Sequence, residues 1–228
     1  MVHAAPLLVT SAERAIWRGG TCPARGFNRL DKTHKRHDEA MAIVLAVDCS
    51  LPFQSAPRAS EVFELCREST LRIHALALET VPEQLVEVVA FGERARLVEP
   101  ATLPELQYEY LYGSNLAEAF ALGRELLVRR PVGGGRRIIV TTYSDPTAHV
   151  LPSGDVFFNY PPVAATLDAT VAEARACGDD SVTIDILLIA DVTRFDVITD
   201  ACNVTGGHVV DCRTQSPTES ALRSLVRL

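Results

Sequence analysis

The sequence predicts an α/β fold: a Rossmann-like, doubly wound, mostly parallel sheet with helices on both faces and one antiparallel edge strand. Three observations carry this. From residue 41 onward, apolar runs of strand length alternate with stretches of helical spacing, the order that gives a parallel sheet with right-handed crossovers. Several of the runs are continuously apolar, as strands covered on both faces are. A short apolar return follows the second run closely, at the spacing of a hairpin edge.

The first strand is expected in Met41-Ala42-Ile43-Val44-Leu45-Ala46-Val47, a run that ends in Asp48. Val62, Leu65, Cys66, Leu71, Ile73, Leu76 and Leu78 then recur at mostly helical spacing across 59–80, and Pro82 closes the helix. Leu85 to Phe91 gives the second strand, and Ala95-Arg96-Leu97-Val98 the antiparallel return. Asn115 to Arg129 reads as an amphipathic helix with Leu116, Ala119, Phe120, Leu122, Gly123, Leu126 and Leu127 inward. The Gly133-Gly134-Gly135 turn feeds a strand at Ile138 to Thr142, and a long connection follows over 146–162. Helix 164–177, strand 182–189, helix 193–204, strand 208–211 and a last helix from about 217 complete the pattern.

At 228 residues the chain has room for one generous core. We assign 41–228 to a single domain and 1–40, which has no sustained period beyond one short strand near Ala15-Ile16-Trp17, to an N-terminal extension. Hydrophobic residues make up 47% and charged residues 22%, the balance of a folded globular protein. The net charge of −7 argues against nucleic acid or anionic lipid as a partner. That charge is uneven: residues 1–40 carry seven Lys/Arg against four Asp/Glu, and the remainder fifteen against twenty-five.

No apolar run approaches the length of a membrane span, and no secretory pattern opens the chain, so a cytoplasmic location is expected. Cys22, Cys49, Cys66, Cys177, Cys202 and Cys212 form no C-x-x-C pair. They read as free thiols in a reducing compartment, most of them small buried hydrophobes.

Ligands of doubly wound sheets gather beyond the carboxyl ends of the strands. Here Asp48 to Ser50, Gly113 to Asn115 and Thr142 to Thr147 fall on predicted turns at that edge. Their residues carry a resemblance. Val47-Asp48-Cys49-Ser50-Leu51-Pro52 resembles the Asp-x-Ser-x-Ser signature of von Willebrand factor A domains, and Tyr112-Gly113-Ser114-Asn115-Leu116 resembles their Gly-Thr-Asn helix start. Thr142-Tyr143-Ser144-Asp145-Pro146-Thr147-Ala148-His149 is similar to the Thr-Asp-Gly-Glu-Pro-Thr-Ala-His segment of a bacterial branch. That branch is related to proteins that partner MoxR-type and magnesium-chelatase-type AAA+ ATPases.

The resemblance implies a metal-ion-dependent adhesion site, in which serine and threonine hydroxyls bind magnesium and aspartates supply charge. Asp48, Ser50 and Ser114 stand at three of its positions. Pro52 stands at the second serine and Tyr143 at the distal aspartate, neither of which offers a charge. The site is therefore expected to be degenerate: no cofactor is implied, and magnesium would bind weakly at best. Asp145, two residues on, would need a rearranged loop to reach the ion. Local turn and N-cap bonding is the competing role for Ser50 and Ser114.

The expectation for function is a non-enzymatic interaction module, an adaptor or scaffold docking a protein through this loop edge, with Tyr143, Asp145, His149, Tyr112 and Asn115 as candidate contacts. The resemblance suggests an AAA+ ATPase assembly as the partner. Two alternatives stay open: a binder whose magnesium is completed by a partner carboxylate, and a hydrolase or nucleotide-dependent enzyme carried by fold analogy alone.

Overall fold

The computed structural model describes residues 40–51, 58–109, 113–130 and 133–226. The strand expected near Ala15, together with Pro52 and Tyr112, lies outside them.

Strand β1 (Ala42–Asp48) is buried at all seven positions, as its unbroken apolar run requires. Helix α1 (Ala59–Leu78) follows, then β2 (Val86–Phe91) and the half-exposed return β3 (Ala95–Val98). Helix α2 (Leu116–Val128) leads into β4 (Arg136–Thr142). Beyond a small hairpin, β5 (Ala148–Val150) and β6 (Val156–Phe158), come α3 (Ala164–Asp179), β7 (Val182–Leu188), α4 (Phe195–Asn203), β8 (Val209–Asp211) and α5 (Glu219–Leu225).

The main sheet has the order β3-β2-β1-β4-β7-β8. Every pairing is parallel except β2 with β3, the hairpin that the short apolar return predicts. Val47 of β1 sits opposite Ala90 of β2 on one side and Thr141 of β4 on the other. The chain steps outward from β1 to β2 and later crosses back to β4, so the strand order reverses between β1 and β4. Loops diverge there and leave a crevice at the carboxyl ends.

The helices form two packing groups. Helices α1 and α5 pack on each other, and α1 lies against β1 and β4; α2, α3 and α4 pack in sequence, with α2 against β1, β2 and β4 and α3 and α4 against β7. Phe63, Ile73, Phe120 and Leu127 are among the side chains these helices bury against the sheet. The described cysteines Cys49, Cys66, Cys177, Cys202 and Cys212 are all free and buried, with the Cys177 thiol pushed up to about 12 by burial. They serve as small core residues.

The stretch 146–162, expected as a long connection, contains regular structure. It folds back as the β5–β6 hairpin, with Ala148 opposite Phe158 and Val150 opposite Val156. The apolar triplet Val156-Phe157-Phe158 is a strand there.

Buried Asp185 interrupts the apolar run of β7. Its carboxylate accepts from the His208 amide at 3.0 Å, contacts His208 Nδ1 at 2.7 Å and lies 3.1 Å from Arg137 Nη1. Pairing of this kind is what lets a charge stay inside a sheet. It also draws the loop before β8 so close that a Cβ on Gly207 would stand 1.9 Å from the Ile184 carbonyl oxygen. Gly207→Ala is accordingly expected to lower stability by about 3 kcal/mol in urea denaturation, whereas Leu97→Ser on the exposed β3 edge shifts it by no more than about 0.5 kcal/mol. Equal effects would show that this loop is not clamped to β7.

Candidate functional site

At the crevice between β1 and β4, three loops meet on one carboxylate. Asp48 ends β1 and is fully buried, and its Oδ1 accepts from the Ser50 amide at 2.9 Å and the Ser50 hydroxyl at 2.7 Å. Its Oδ2 accepts from Thr142 Oγ1, at the end of β4, at 2.6 Å, and from Ser114 Oγ, just before α2, at 3.1 Å. Ser50 Oγ lies 3.3 Å from Ser144 Oγ, the more exposed hydroxyl of the group. Burial pushes the Asp48 carboxyl above its ordinary value, and the bonds from Thr142, Ser50 and Ser114 pull it part of the way back.

Tyr143 follows Thr142 and turns inward. It is 2% exposed, and its phenol donates to the Ser50 carbonyl at 2.5 Å. Burial, reinforced by the nearby Asp48, pushes the phenol far above its usual range, so it remains a neutral donor. Asp145, also 2% exposed, faces the loop before α4. It accepts from Thr193 N at 3.0 Å, Thr193 Oγ1 at 2.8 Å and Arg194 N at 2.8 Å. Those bonds satisfy amides at the entry to a helix, where no helical partner exists.

Asn115 is the N-cap of α2, accepting from the Glu118 amide at 3.1 Å while its Nδ2 donates to the Glu93 carbonyl at 3.1 Å. The capping expected of Ser114 is thus done one residue later, which leaves the Ser114 hydroxyl for Asp48. Thr147 braces the same turn: its Oγ1 accepts from Ser114 N at 2.9 Å and its amide donates to Ser114 O at 2.9 Å. His149, on β5, places Nδ1 2.9 Å from Thr166 Oγ1 and its ring 5.1 Å from that of Phe157, latching the hairpin to the start of α3.

Of the residues singled out from sequence, Asp48, Ser50 and Ser114 come together, with Tyr143 bonded to their loop. Asp145, Asn115 and His149 stand around that cluster and face other partners, and Tyr112 falls outside the described residues. Sequence reasoning placed Thr142, Ser144 and Thr147 in a segment at this edge but gave none of them a role of its own. Strand alternation held the signal for Thr142, since in the pair Thr141-Thr142 only one hydroxyl can turn toward Asp48. Thr141 Oγ1 is instead buried without a hydrogen-bond partner among the described residues. Among those residues, no group of three or more His, Cys, Asp or Glu side chains is placed to hold a metal ion.

A parallel sheet of this order, with its polar cluster at the reversal, defines a von Willebrand factor A-type domain. Solved structures share the fold. The von Willebrand factor type A protein from Catenulispora acidiphila aligns over 82% of this chain and 41% of its own at 16% identity, with a TM-score of 0.55. The SpRpn10 VWA domain aligns over 82% and 94% at 16% identity and a TM-score of 0.55, and the pilus adhesin SpaC from Lactobacillus rhamnosus GG over 82% and 30% at 16% identity and 0.58. The particular family follows from a family model described as "Rv0959-like protein, vWA domain", which matches residues 41–225. The chain belongs to this family. Uncharacterized protein Rv0959 of Mycobacterium tuberculosis (strain ATCC 25618 / H37Rv) and uncharacterized protein Mb0984 of Mycobacterium bovis are each 38% identical over 110 residues, 46% of this chain. The match spans 16% of the length of those relatives.

Thr142→Val keeps the shape and removes one donor from a buried carboxylate, so it is expected to cost roughly 1–3 kcal/mol in urea denaturation at neutral pH. Ser144→Ala, at the rim, is expected to stay within about 0.5 kcal/mol. The pH dependence has a definite sign. A carboxyl raised on folding contributes stability that is full below its ordinary value of 3.8 and is lost as pH rises through the folded value. Thr142→Val removes the largest lowering contribution, so its deficit relative to wild type is expected to grow from pH 3 toward neutrality; a deficit flat with pH would count against the bond.

Proposed function

We propose that this chain is a non-enzymatic protein–protein interaction module, an adaptor or scaffold that docks a partner through the loops at the carboxyl edge of its sheet. The observation that carries the reading is the self-contained bonding of that edge. Asp48, Ser50, Ser114 and Thr142 satisfy one another, Tyr143 and Asp145 are committed to neighbouring loops, and Cys49 and Cys66 are buried thiols pushed well above their usual range. Among the described residues of this edge, no nucleophile is paired with a base in the arrangement that nucleophilic catalysis uses.

Because Tyr143, Asp145 and Asn115 are buried, they act in this reading by shaping the edge. Contact with the partner passes to Ser144, His149 and the hairpin around Phe158, which is 37% exposed. By the family resemblance the partner is a MoxR-type AAA+ ATPase or another subunit of such a complex. The reading also places the domain in the cytoplasm, with residues 1–40 as an extension. Among the described residues no helix is long and apolar enough to cross a membrane.

The donor set fits a magnesium ion poorly, which supports reading the site as degenerate. A small divalent ion asks for near-octahedral oxygen ligands with enough negative charge to offset its dehydration. Among the described residues, the neutral hydroxyls of Ser50, Ser114 and Thr142 gather on the single carboxylate of Asp48, with the Ser144 hydroxyl beside Ser50. Asp145 is held by three bonds to residues 193 and 194. The convergence of Asp48, Ser50 and Ser114 does favour a second reading, in which a partner carboxylate completes a magnesium shell.

Affinity capture from a native lysate in EDTA separates these readings. Wild type is expected to retain a specific protein, Ser144→Arg at the carboxyl edge to lose it, and Glu83→Arg at the opposite edge to keep it. Capture restored only by added magnesium would support the second reading. A partner equally retained by Ser144→Arg would place docking elsewhere.

A further inference from the structure

The loops of the carboxyl edge are joined by side-chain bonds as well as backbone ones, and one of the side-chain joints has no counterpart in a cation-centred arrangement. The loop after β1 is tied to β4 at three successive residues: Thr142 donates to Asp48 at 2.6 Å, Tyr143 to the Ser50 carbonyl at 2.5 Å, and Ser144 Oγ lies 3.3 Å from Ser50 Oγ. The loop before α2 is tied to the same carboxylate through Ser114 and to the start of β5 through Thr147 and Ala148, whose amides donate to Ser114 O at 2.9 and 3.2 Å. Cys49 N donates to Phe91 O at 2.6 Å, which anchors the β1 loop to β2 as well.

Within this set the phenol is the long side chain: Tyr143 is 2% exposed, belongs to the buried core, and bonds through its oxygen to the β1 loop. Its oxygen reaches a backbone carbonyl, an acceptor that a carboxylate at the same position would repel. A neutral donor there holds the two loops together without introducing a second negative charge beside Asp48.

We infer that Tyr143 is a positioning residue standing in for a cation: its phenol braces the Ser50 loop against β4, so the carboxyl edge is held in one arrangement that needs no divalent ion and does not respond to one. The inference deepens the interaction reading and rests on the same edge, but its test involves no partner.

The full chain is compared as wild type, Tyr143→Phe and Tyr143→Asp by amide hydrogen exchange and by Mn2+ titration followed by electron paramagnetic resonance, with thermal denaturation in EDTA or millimolar Mg2+. Wild type is expected to take up no stoichiometric Mn2+ and to show the same melting temperature with either addition. Tyr143→Phe keeps the ring and loses the bond, so exchange at residues 49–51 and 143–145 is expected to rise roughly fivefold to tenfold while β7 is unchanged. Tyr143→Asp is expected to take up Mn2+ and to regain in Mg2+ the melting temperature it loses in EDTA.

Stoichiometric Mn2+ on wild type, exchange in Tyr143→Phe equal to wild type, or a folded Tyr143→Asp that ignores both ions would each overturn the inference. If Tyr143→Asp does not fold, the other two proteins decide it. A confirmed brace with no captured partner would sink the interaction reading alone; a captured partner with an ion-responsive wild-type edge would sink the brace alone.

Discussion

A carboxylate fully buried at the end of the central strand must find its partners within the protein, because an unpaired buried charge costs several kcal/mol. Asp48 is in that position, and its four donors come from three separated segments: Ser50 beside it, Ser114 before α2 and Thr142 at the end of β4. The two Ser50 bonds are local, but the Thr142 bond needs β1 and β4 in register and the Ser114 bond needs the loop before α2 to return to the crevice. The Asp48 carboxylate therefore makes the loop edge conditional on the sheet, and the sheet's central pairing is in turn reinforced by the loops.

Two further carboxylates repeat the device. Asp145 draws the loop at Thr193 and Arg194 onto the segment after β4, and Asp185 draws His208 and the neighbouring Gly207 onto β7. Each takes backbone amides that a loop leaves without helical or sheet partners. Strand-end loops of a parallel sheet are ordinarily the loosest part of the fold. Here Asp48 and Asp145 fix loops at the carboxyl edge and Asp185 fixes the loop entering β8, while the β5–β6 hairpin is tied in by the His149–Thr166 contact and by the Thr147 and Ala148 amides on Ser114 O.

Much of this was legible in sequence because it depends on patterns that short windows carry. The continuous run from Met41 to Val47 announced a strand covered on both faces, and β1 is buried throughout. The return at Ala95 to Val98 announced the antiparallel edge. The β5–β6 hairpin was hidden because three-residue strands give no measurable alternation and Pro152, Pro161 and Pro162 mark the stretch as irregular. Helix capping was placed one residue early, since Ser114 and Asn115 are both good caps and only the tertiary pull of Asp48 on Ser114 decides between them. The direction of Asp145 was equally invisible: its partners at 193 and 194 are forty-eight and forty-nine residues away.

The family resemblance locates an aspartate where this chain has Tyr143, and the exchange has an electrostatic logic. Two carboxylates within a few ångströms in a dry crevice repel each other strongly, so one stays protonated or a cation sits between them. Keeping Asp48 and removing the second charge lifts that requirement, and three hydroxyls and an amide then suffice as donors. A phenol fills the vacated space, stays neutral through burial, and turns its proton to the Ser50 carbonyl. In the proposed reading, loss of charge and gain of a brace are one substitution, and the loop edge is set by packing and hydrogen bonds, whose strength does not depend on the supply of metal.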